Sequence, residues 1–402
     1  MQAPGWRPPR VPIRLGLVGL GNIALGHHIP ALAAMPGLVR VVAVADPSAD
    51  RRAVALAALG LDRTAAHASG DELLDRTDLD AVDLATPPSL RTPLALRAIA
   101  RGCAVLCEKP LATTPADGAS IAAASQASGV PVGVIHNYLA LPEIVASRAA
   151  IEQGAIGVPE IAILNYLGVE DRPGSPAWRP NWRHDTALAG GGVLMDMLHV
   201  VYVAEALLGT TFRRVSAEIL VRSSDAPVED VALCRFEADD GVALVNVGWG
   251  VGPGGIAVSG SMGRIEIAYD GGGTSPFASL VSVRLTRRDG TVEDRTPRDT
   301  AEPGTMKPGT IDVRMKETLR IFFERLAAGE PPAATVADGL RVLEATLGAY
   351  VSATLGRTVD LPLSLDSPVR ARGIAGLADL LLAPGGSVAR RGVFGVGGSH
   401  ST

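Results

Sequence analysis

Lysine is scarce in this chain. It occurs at Lys109, Lys307 and Lys316, and the other positively charged side chains are arginines. Arginine keeps its proton in proteins, whereas lysine can release it, so a lysine inside an apparent core is a candidate for chemistry. Lys109 follows an apolar strand pattern and is such a candidate.

Cysteine is also rare. Cys103, Cys107 and Cys234 form an odd and sparse set, which is typical of a reducing compartment and excludes a disulfide framework. Structural zinc sites need four ligands at regular spacing, and Cys103 with Cys107 has no partner pair. We expect buried free thiols and no metal site.

The sequence lacks long apolar runs and a strong charge of either sign. Its longest apolar stretches have the length of strands, so no membrane-spanning helix is predicted. Residues 1–10 contain arginine and proline without the apolar segment of a signal peptide. The net charge of −5 argues against a nucleic-acid or anionic-membrane partner. We therefore expect a cytoplasmic protein.

A glycine turn follows the first predicted strand, with the pattern G-x-G-x-x-A at residues 19–24. Gly19 permits the tight turn, Gly21 leaves the backbone open to a pyrophosphate, and Ala24 lets the next helix approach the strand. The N–H groups at the start of that helix then face the phosphates. The pattern predicts a dinucleotide site that also includes Asn22 and Ile23.

Asp46 ends the second predicted strand, about two dozen residues after the turn. A carboxylate there accepts hydrogen bonds from both ribose hydroxyls of NAD and repels the additional phosphate of NADP. Arg51 and Arg52 are close enough in the sequence to leave NADP open. The other interpretation of Asp46 is a carboxylate that caps the turn before Pro47.

Strand and helix patterns alternate up to about residue 135. The predicted strands are 13–18, 39–45, 81–85, 103–107 and 131–135, and the predicted helices are 22–35, 49–59, 71–75, 91–101 and 115–128. This alternation predicts a parallel, doubly wound sheet with right-handed crossovers.

Two further predicted strands end in candidate site residues. Thr86-Pro87 follows the third strand, and Glu108-Lys109-Pro110 follows the fourth. Ligands of doubly wound sheets bind at the carboxyl ends of the strands, so both segments belong to the candidate site. The alternative for Glu108-Lys109-Pro110 is a charged surface turn.

Together these motifs resemble the Gfo/Idh/MocA oxidoreductase family. The resemblance continues through residues 134–138, the glycine turn 154–157, Trp182-Arg183 and the segment 190–199, and it covers roughly residues 13–362. It implies an N-terminal Rossmann domain at 11–135 and a C-terminal α/β domain with an open, mostly antiparallel sheet at 136–362. Residues 363–402 form a tail beyond it.

The pattern of the second half is consistent with this architecture. Strand patterns separated by turns run from about 160 to 290, with a turn at 270–273, and predict an antiparallel sheet. A helix at about 190–208 interrupts them. Helices at about 311–328 and 336–355 are predicted to pack back on the Rossmann domain, the first through Val313, Leu319, Phe322, Phe323 and Leu326. We expect a mobile loop around 292–310, and a tail that is either an oligomer arm around 377–382 or largely disordered beyond Pro384.

The resemblance also implies a chemistry. The family's lysine in this motif lies beside the nicotinamide and the reacting hydroxyl, a role that maps onto Lys109. We expect NAD(P)-dependent interconversion of a secondary alcohol and a ketone on a sugar, sugar acid or cyclitol. His199 is the favoured base, since a histidine with a pKa of ~6.5 needs almost no shift whereas Lys109 needs about 3 units. Asp196 orients His199 or binds a substrate hydroxyl, and charged Lys109 holds the substrate oxygen.

The candidate substrate contacts are His136, Trp182 and Arg183, with Trp178 as a further aromatic. Each has a structural alternative, namely a core histidine, a core aromatic or an ion pair. The chain departs from the family in the spacing of His199 from Asp196, which is three residues instead of four, although both positions of a helix share one face. It also departs at Arg91, where the family has histidine, and at residues 139–140.

These departures indicate an unusual substrate or altered chemistry. Two other functions stay open, an NAD-using glycosidase-like enzyme and a non-catalytic NAD-binding sensor. The open sheet of the family favours self-association, so we expect a homodimer or homotetramer.

Overall fold

The computed structural model describes residues 6–76, 78–169, 182–222, 228–250, 252–270, 280–298 and 311–382. The chain divides into two compact units. The first takes its described residues from the ranges 1–140 and 306–341, and the second from 141–305 and 342–402.

The first unit contains a six-stranded sheet in which all strands are parallel, in the order β3-β2-β1-β4-β5-β6. The strands are β1 Ile13–Val18, β2 Val39–Ala45, β3 Ala66–His67, β4 Ala81–Leu84, β5 Ala104–Cys107 and β6 Val132–Val134. The predicted parallel, doubly wound sheet is therefore confirmed. Because β1 lies between β2 and β4, the strand order reverses there, and the carboxyl end of β1 is the point where such sheets bind ligands.

The helices of this unit are α1 Ile29–Ala33, α2 Ala49–Leu59, α3 Gly70–Leu74, α4 Arg91–Ala100, α5 Pro115–Ser128 and α10 Val313–Ala328. Short 3₁₀ turns lie at Arg63–Ala65, Pro88–Leu90 and Asn137–Ala140. Ser48, Ser69 and Thr114 each accept an N–H bond at a helix start, which explains where α2, α3 and α5 begin.

The helix predicted over 22–35 is wrong in one respect. Residues Ala24–His28 form a π turn before α1, and the N–H of Ile29 bonds to the carbonyl of Ala24. A π turn holds one more residue than an α turn, and such turns are frequent at functional sites. Ala24 and His28 are both buried, and His28 bonds to Asp83 on β4.

The helix α10 completes the core of the first unit. Its apolar face joins the cluster formed by β1, β2 and α1, through Met315, Leu319, Phe322, Phe323 and Leu326. The helix therefore packs on the sheet of the first unit. Val313 does not belong to that face, since it is 52% exposed at the first position after the N-cap residue Asp312.

The second unit contains a nine-stranded sheet in the order β14-β13-β12-β11-β7-β10-β9-β8-β15. The strands are β7 Pro159–Val169, β8 Arg214–Leu220, β9 Val231–Glu237, β10 Val242–Trp249, β11 Gly254–Gly260, β12 Gly263–Tyr269, β13 Leu280–Arg287, β14 Val292–Asp294 and β15 Val359–Asp360. All neighbouring pairs are antiparallel except β7 with β10, which is parallel. The prediction of a mostly antiparallel sheet is confirmed.

The helices of the second unit are α6 Pro142–Glu152, α7 Thr186–Ala189, α8 Val193–Asp196, α9 His199–Leu208, α12 Pro368–Arg372 and α13 Leu377–Leu382, with 3₁₀ turns at Trp182–His184 and Gly373–Gly376. The long helix α11, Val336–Leu355, contributes residues to both units.

The single helix predicted over 190–208 is wrong. Gly190, at φ +82°, ends α7, and Met197, at φ −98° and ψ +23°, ends α8 after one turn. The axis bends by 42° between Thr186–Asp196 and His199–Leu208. Asp196 and His199 therefore belong to different helices and do not share one helix face.

The loop predicted over 292–310 begins with strand β14, and residues 299–310 lie outside the described residues. Of the turn predicted at 270–273, Asp270 alone is described. In the tail, the segment 377–382 is helix α13, and residues 383–402 lie outside the described part.

Among the described helices, none by itself has the length and apolar character needed to cross a membrane. One bent pair, Thr186–Asp196 with His199–Leu208, passes by length and composition.

Candidate functional site

The glycine turn closes the carboxyl end of β1. Gly19 has φ +90°, and a Cβ at this position would lie 2.8 Å from the carbonyl of Ala85 and 2.9 Å from the nitrogen of Thr86. Only glycine fits both the backbone conformation and this close approach. A Cβ on Gly21 would meet nothing within 4 Å, so the backbone there faces open space. The turn thus has the open backbone cradle that a pyrophosphate needs.

The helical segment after the turn begins without a side-chain cap. Asn22 is exposed and Ile23 is half-buried, whereas Ala24 is fully buried against the sheet. The N–H of Leu25 already bonds to the carbonyl of Gly21. Backbone N–H groups at an uncapped start remain available to an anion.

Asp46 follows β2 and is 7% exposed. Its Oδ2 accepts the N–H of Leu20 at 2.8 Å, and its Oδ1 accepts the N–H of Ser48 at 2.8 Å. The carboxylate therefore braces the glycine turn and caps the following turn, as the second interpretation of Asp46 requires. Each oxygen keeps a further acceptor position, so a ribose ligand stays chemically possible. Arg52 donates to the carbonyl oxygens of Asp46 and Pro47 at 2.5 and 3.1 Å.

The carboxyl ends of β2, β1, β4 and β5 lie side by side and carry Asp46, Gly19, Thr86 and Glu108. Neighbouring strands are about 4.8 Å apart, so this row spans roughly 14 Å. A dinucleotide binds across such a row at the point where the strand order reverses. Gly19, open Gly21 and Asp46 have the donor set and the space for NAD, so the residues present fit this cofactor.

Arg91 links the segments that follow β4 and β5. It is 2% exposed, and its Nη1 donates to the carbonyl of Glu108 at 2.6 Å and to the carbonyl of Pro110. Its Nη2 donates to the carbonyl of Thr86. One guanidinium therefore ties Thr86-Pro87 to Glu108-Lys109-Pro110. Arg91 here binds backbone carbonyl groups.

The side chains of these segments differ in exposure. Thr86 is buried, and its Oγ1 has no hydrogen-bond partner among the described residues, while Pro87 is half-buried. Glu108 is buried and its Oε2 accepts the N–H of Lys109 at 2.9 Å. Lys109 is partly exposed, and the Lys109–Pro110 bond is cis. The segment is thus a braced strand end, not a loose surface turn.

His28 lies between two carboxylates that no motif connects to it. Its Nδ1 is 2.7 Å from Asp83 Oδ2, and its Nε2 is 3.1 Å from Glu108 Oε1. Burial by itself lowers the pKa of His28, but the two carboxylates raise it to about 10. The ring is therefore an imidazolium at neutral pH and donates both bonds. The sequence signal for this cluster is Asp83, a carboxylate inside an apolar strand, which needs a buried partner.

Glu108 responds to the same contacts. Burial raises the pKa of this carboxyl group, but the hydrogen bond and the charge of His28, with Lys109 and Arg91, bring it below its usual range. Glu108 is therefore a carboxylate at neutral pH.

His136 follows β6 and is buried. Burial outweighs the opposing effect of Asp338 and lowers the pKa of His136 to about 4, so the imidazole is neutral at pH 7. Because β6 neighbours β5, His136 lies at the same end of the sheet as Lys109.

In the second unit, Arg183 pairs with Asp196. Arg183 Nε donates to Asp196 Oδ1 at 3.2 Å, and its guanidinium lies 4.8 Å from the centre of the Trp182 ring. The ion pair expected as the structural alternative for Arg183 is therefore present. The three predicted residues Trp182, Arg183 and Asp196 therefore form one cluster, whereas Trp178 lies outside the described residues.

His199 begins α9 and is buried. Its Nδ1 is hydrogen-bonded to the hydroxyl of Tyr202, and the two rings meet edge to face with centres 5.6 Å apart. A hydroxyl at Nδ1 fixes the orientation of the ring, which is what a histidine needs in order to act as a base.

Glu229 holds the glycine-rich segment that leads to Asp196. Its Oε1 accepts the N–H groups of Gly192 at 2.9 Å and Leu194 at 3.2 Å, and the hydroxyl of Tyr350. A Cβ on Gly192 would lie 2.5 Å from the Glu229 carbonyl, and a Cβ on Gly191 would lie 2.4 Å from the Tyr350 hydroxyl. These glycines are therefore required by close packing. Burial raises the pKa of Glu229 to about 7, although Tyr350 opposes it.

The three cysteines are free and buried, which confirms the prediction for them. Within the described part of the chain, no group of three or more histidine, cysteine or carboxylate side chains is arranged to hold a metal ion.

Comparison with known proteins identifies both halves of the chain. Residues 13–136 match the model described as oxidoreductase family, NAD-binding Rossmann fold, and residues 144–266 match the GFO/IDH/MocA C-terminal domain. The chain belongs to the Gfo/Idh/MocA family. The first unit of this family member is thus an NAD-binding Rossmann domain.

Individual relatives agree with this assignment. D-apiose dehydrogenase from Paraburkholderia graminis is 29% identical over 352 residues, which are 86% of this chain and 88% of that protein. The dTDP-3,4-didehydro-2,6-dideoxy-alpha-D-glucose 3-reductase of Streptomyces antibioticus is 30% identical, over 56% of this chain and 70% of that protein. The family member described here is an NAD(P)-dependent oxidoreductase.

A solved structure has the same fold. The aldose-aldose oxidoreductase of Caulobacter crescentus, in complex with glycerol, superimposes with a TM-score of 0.74 and is 25% identical. The match covers 87% of this chain and 99% of that one.

Proposed function

We propose that the protein interconverts a secondary alcohol and a ketone on a sugar, sugar acid or cyclitol by NAD(P)-dependent hydride transfer. The braced segment Glu108-Lys109-Pro110 at the carboxyl end of β5, two strands from the glycine turn, carries the proposal. The substrate class is supported by the relatives, since their names specify an apiose, a dTDP-linked deoxyglucose and aldoses.

Residues at four neighbouring strand ends would hold the cofactor. Asp46 would bind the hydroxyls of the adenosine ribose, and its negative charge favours NAD over NADP. The backbone of the glycine turn and the uncapped helix start would bind the pyrophosphate. The nicotinamide, when bound, accepts or donates the hydride. The residues proposed for cofactor binding are Gly19, Gly21, Asn22, Ile23, Asp46, Thr86, Pro87, Glu108 and Lys109.

Two side chains are proposed to act on the reacting hydroxyl of the substrate, one on its oxygen and the other on its proton. In this proposal Lys109, as an ammonium, donates a hydrogen bond to the substrate oxygen and stabilises the negative charge that develops on it. His199 accepts the hydroxyl proton, because the ordinary pKa of histidine is close to neutral pH. In the reduction direction the same proton returns to the carbonyl oxygen.

Asp196 and its neighbours are proposed to bind the rest of the substrate. Asp196 accepts hydrogen bonds from a substrate hydroxyl or orients His199, and the pair with Arg183 holds its carboxylate in place. Trp182 and Arg183 offer an aromatic face and a cation, which suit a sugar ring and a sugar acid respectively. His136 is proposed to contribute a neutral imidazole to the same substrate.

A substrate panel tests the reaction class. Purified protein is incubated with NAD or NADP and several dozen polyols, sugars, sugar acids and cyclitols, and the absorbance of the reduced nicotinamide is followed. Reduction with one chemical group of substrates, faster with NAD than with NADP, is the expected result. Release of a free sugar without net reduction of the nicotinamide supports a glycosidase-like reaction instead. If NAD binds but neither reduction nor sugar release is observed, the result supports a sensor.

The role of Lys109 is tested by Lys109→Ala. We expect kcat to fall about 100- to 1,000-fold, because the developing charge loses its donor, with NAD affinity largely unchanged. Lys316→Ala is the matched control, since Lys316 is the other lysine in the described residues and lies on α10. Turnover of Lys109→Ala at the level of Lys316→Ala would exclude this role.

Self-association is also proposed, as a homodimer or homotetramer. The second sheet supports it, because apolar side chains on several neighbouring strands are exposed, among them Ile161, Leu233 and Leu244.

A further inference from the structure

A continuous chain of hydrogen bonds runs from the interior of β4 to the backbone of Lys109. Asp83 Oδ2 accepts from His28 Nδ1 at 2.7 Å, and His28 Nε2 donates to Glu108 Oε1 at 3.1 Å. The other oxygen of Glu108 accepts the N–H of Lys109 at 2.9 Å. His28 is the central link, and its side chain is completely buried.

The charges of this cluster balance only when His28 is protonated. Asp83 and Glu108 bring two buried negative charges, and His28 and Arg91 bring two buried positive charges. Both Nη groups of Arg91 donate hydrogen bonds to carbonyl oxygens. His28 is therefore the cation that contacts both carboxylates directly. Loss of the imidazolium leaves a buried negative charge without its partner, which is strongly unfavourable.

The position of His28 in the chain connects it to the cofactor site as well. It is the last residue of the π turn Ala24–His28, which begins three residues after Gly21. The same short segment therefore carries the glycine turn at one end and the partner of Glu108 at the other. A π turn at this place is consistent with a functional constraint on where His28 points.

We infer that His28 is a positioning residue for Lys109: clamped between Asp83 and Glu108, it fixes the Glu108 carboxylate and through it the backbone of Lys109 relative to the glycine turn. This inference rests on the proposed function of Lys109. The side chain of His28 is fully buried, and in this inference it acts through Glu108.

The scarcity of lysine permits a direct measurement. Reductive methylation with ¹³C-formaldehyde labels the side chains of Lys109, Lys307 and Lys316 in the full-length protein, and substitution of each lysine by arginine assigns its NMR signal. The position and pH titration of the Lys109 signal then report its surroundings, with Lys316 as the internal reference. The variants are His28→Gln and Asp83→Asn. The matched control is His27→Gln, because His27 lies in the same π turn but bonds to Asp312.

Both His28→Gln and Asp83→Asn are expected to move the Lys109 signal and its titration midpoint, while the Lys316 signal stays in place. They should also lower kcat about 10- to 100-fold with an unchanged dissociation constant for NAD, since a small misplacement of a reacting group has this effect. His27→Gln should match the wild type in both respects. If His28→Gln does not fold, the Lys109 signal and kcat of Asp83→Asn alone test the inference.

An unchanged Lys109 signal and titration in the folded variants overturns the inference, even if their thermal stability is reduced. Failure of the proposed function has a different signature. In that case Lys109→Ala retains turnover, whereas the response of the Lys109 signal to His28→Gln is unaffected.

Discussion

Asp46 caps the turn that follows β2, as one of its two interpretations requires, whereas its binding of ribose stays a proposal. Its oxygens accept the N–H groups of Leu20 and Ser48, so the residue shapes the glycine turn itself. A carboxylate oxygen accepts more than one hydrogen bond, and a second acceptor position remains on each. Cofactor preference is therefore separable from turn stability by experiment.

Asp46→Ala should weaken NAD binding about tenfold and shift the ratio of NAD to NADP affinity toward NADP by at least that factor, because the carboxylate both binds ribose hydroxyls and repels a phosphate. Calorimetric titration with each cofactor measures the two constants. A general loosening of the turn would weaken the binding of NAD and NADP by the same factor. An unchanged ratio of the two affinities would therefore contradict the proposed preference for NAD.

The His28 cluster makes stability depend on pH in a defined direction. Because the folded pKa of about 10 lies above the ordinary 6.5, the stabilisation is complete below pH 6.5 and is lost as the pH rises through 10. The facing groups are Asp83 and Glu108, and Arg91 and Lys109 act on Glu108.

The difference in thermal unfolding midpoint between wild type and His28→Gln should therefore be largest near pH 6.5 and should narrow toward pH 10. Burial also raises the pKa values of Cys107 and Cys234. Their contribution to the pH dependence of stability is the same in both proteins and cancels in the difference. A difference that does not vary between pH 6.5 and 10 would show that folding does not raise the pKa of His28.

Residues whose function follows from a local pattern could be predicted, and residues defined by distant contacts could not. Gly19, Gly21 and Asp46 have a signature within about 30 residues of sequence. His28 and Glu229 are recognised only by their partners, which lie 55 to 80 residues away for His28 and 121 residues away for the Tyr350 bond of Glu229. No spacing rule connects such positions.

At the level of elements, strand and helix limits were predicted well where capping residues are explicit. The strands 13–18 and 39–45 and the helices 49–59, 115–128 and 336–355 occur as predicted. The helix α6 and the short strand β3 were not predicted. Two further failures are breaks inside apparently helical sequence, at the π turn and at Met197. Both are imposed by tertiary contacts, of His28 with the sheet and of Glu229 with the N–H groups of Gly192 and Leu194.

The start of α10 depends on Asp312, which accepts the N–H groups of Arg314 and Met315 and bonds to His27. Asp312→Ala should lower the free energy of unfolding by about 1–2 kcal/mol, the upper range for loss of an N-cap. Denaturant unfolding followed by circular dichroism measures it.

Ser69→Ala is the control for this prediction, because Ser69 caps the five-residue helix α3 with a single bond to Glu72. It should cost about 0.5–1 kcal/mol. Equal losses in the two variants would show that the contact with His27 and the burial of Asp312 add nothing to the cap.

In the whole molecule, several apolar side chains are exposed on one face of the second sheet. Ile163 lies in register with Leu244 on β10 and with Ala257 on β11, and Leu233 and Leu244 are 38% and 36% exposed. Leu244 lies opposite Arg235 on β9, and Leu233 lies opposite Asn246, so the exposed apolar residues alternate with polar ones. Many protein interfaces have such a mixed composition.

Leu244→Glu should convert the expected dimer or tetramer into monomers, because burial of a carboxylate at an interface is costly even with Arg235 opposite it on β9. Light scattering coupled to size-exclusion chromatography measures the mass. Leu365→Glu is the control, since Leu365 is 88% exposed and lies outside the sheet strands. A wild-type protein that elutes as a monomer at all concentrations would exclude the proposed assembly.

The fold class and the family could be predicted because they depend on patterns that recur along the chain. The strand order of the second sheet could not, because the parallel pairing of β7 with β10 joins segments about 80 residues apart and leaves no local mark.

The helix α10 has a consequence for how the protein is made. The sheet of the first unit is complete in sequence at Val134, but the apolar face that covers β1 and β2 is supplied by residues 313–328. At roughly 5 to 20 residues per second, a ribosome needs about 10 to 40 s to make the intervening chain. During this interval Ile13, Leu15 and their neighbours are exposed on the nascent sheet. A chaperone that binds apolar strands would bind the nascent chain at these residues.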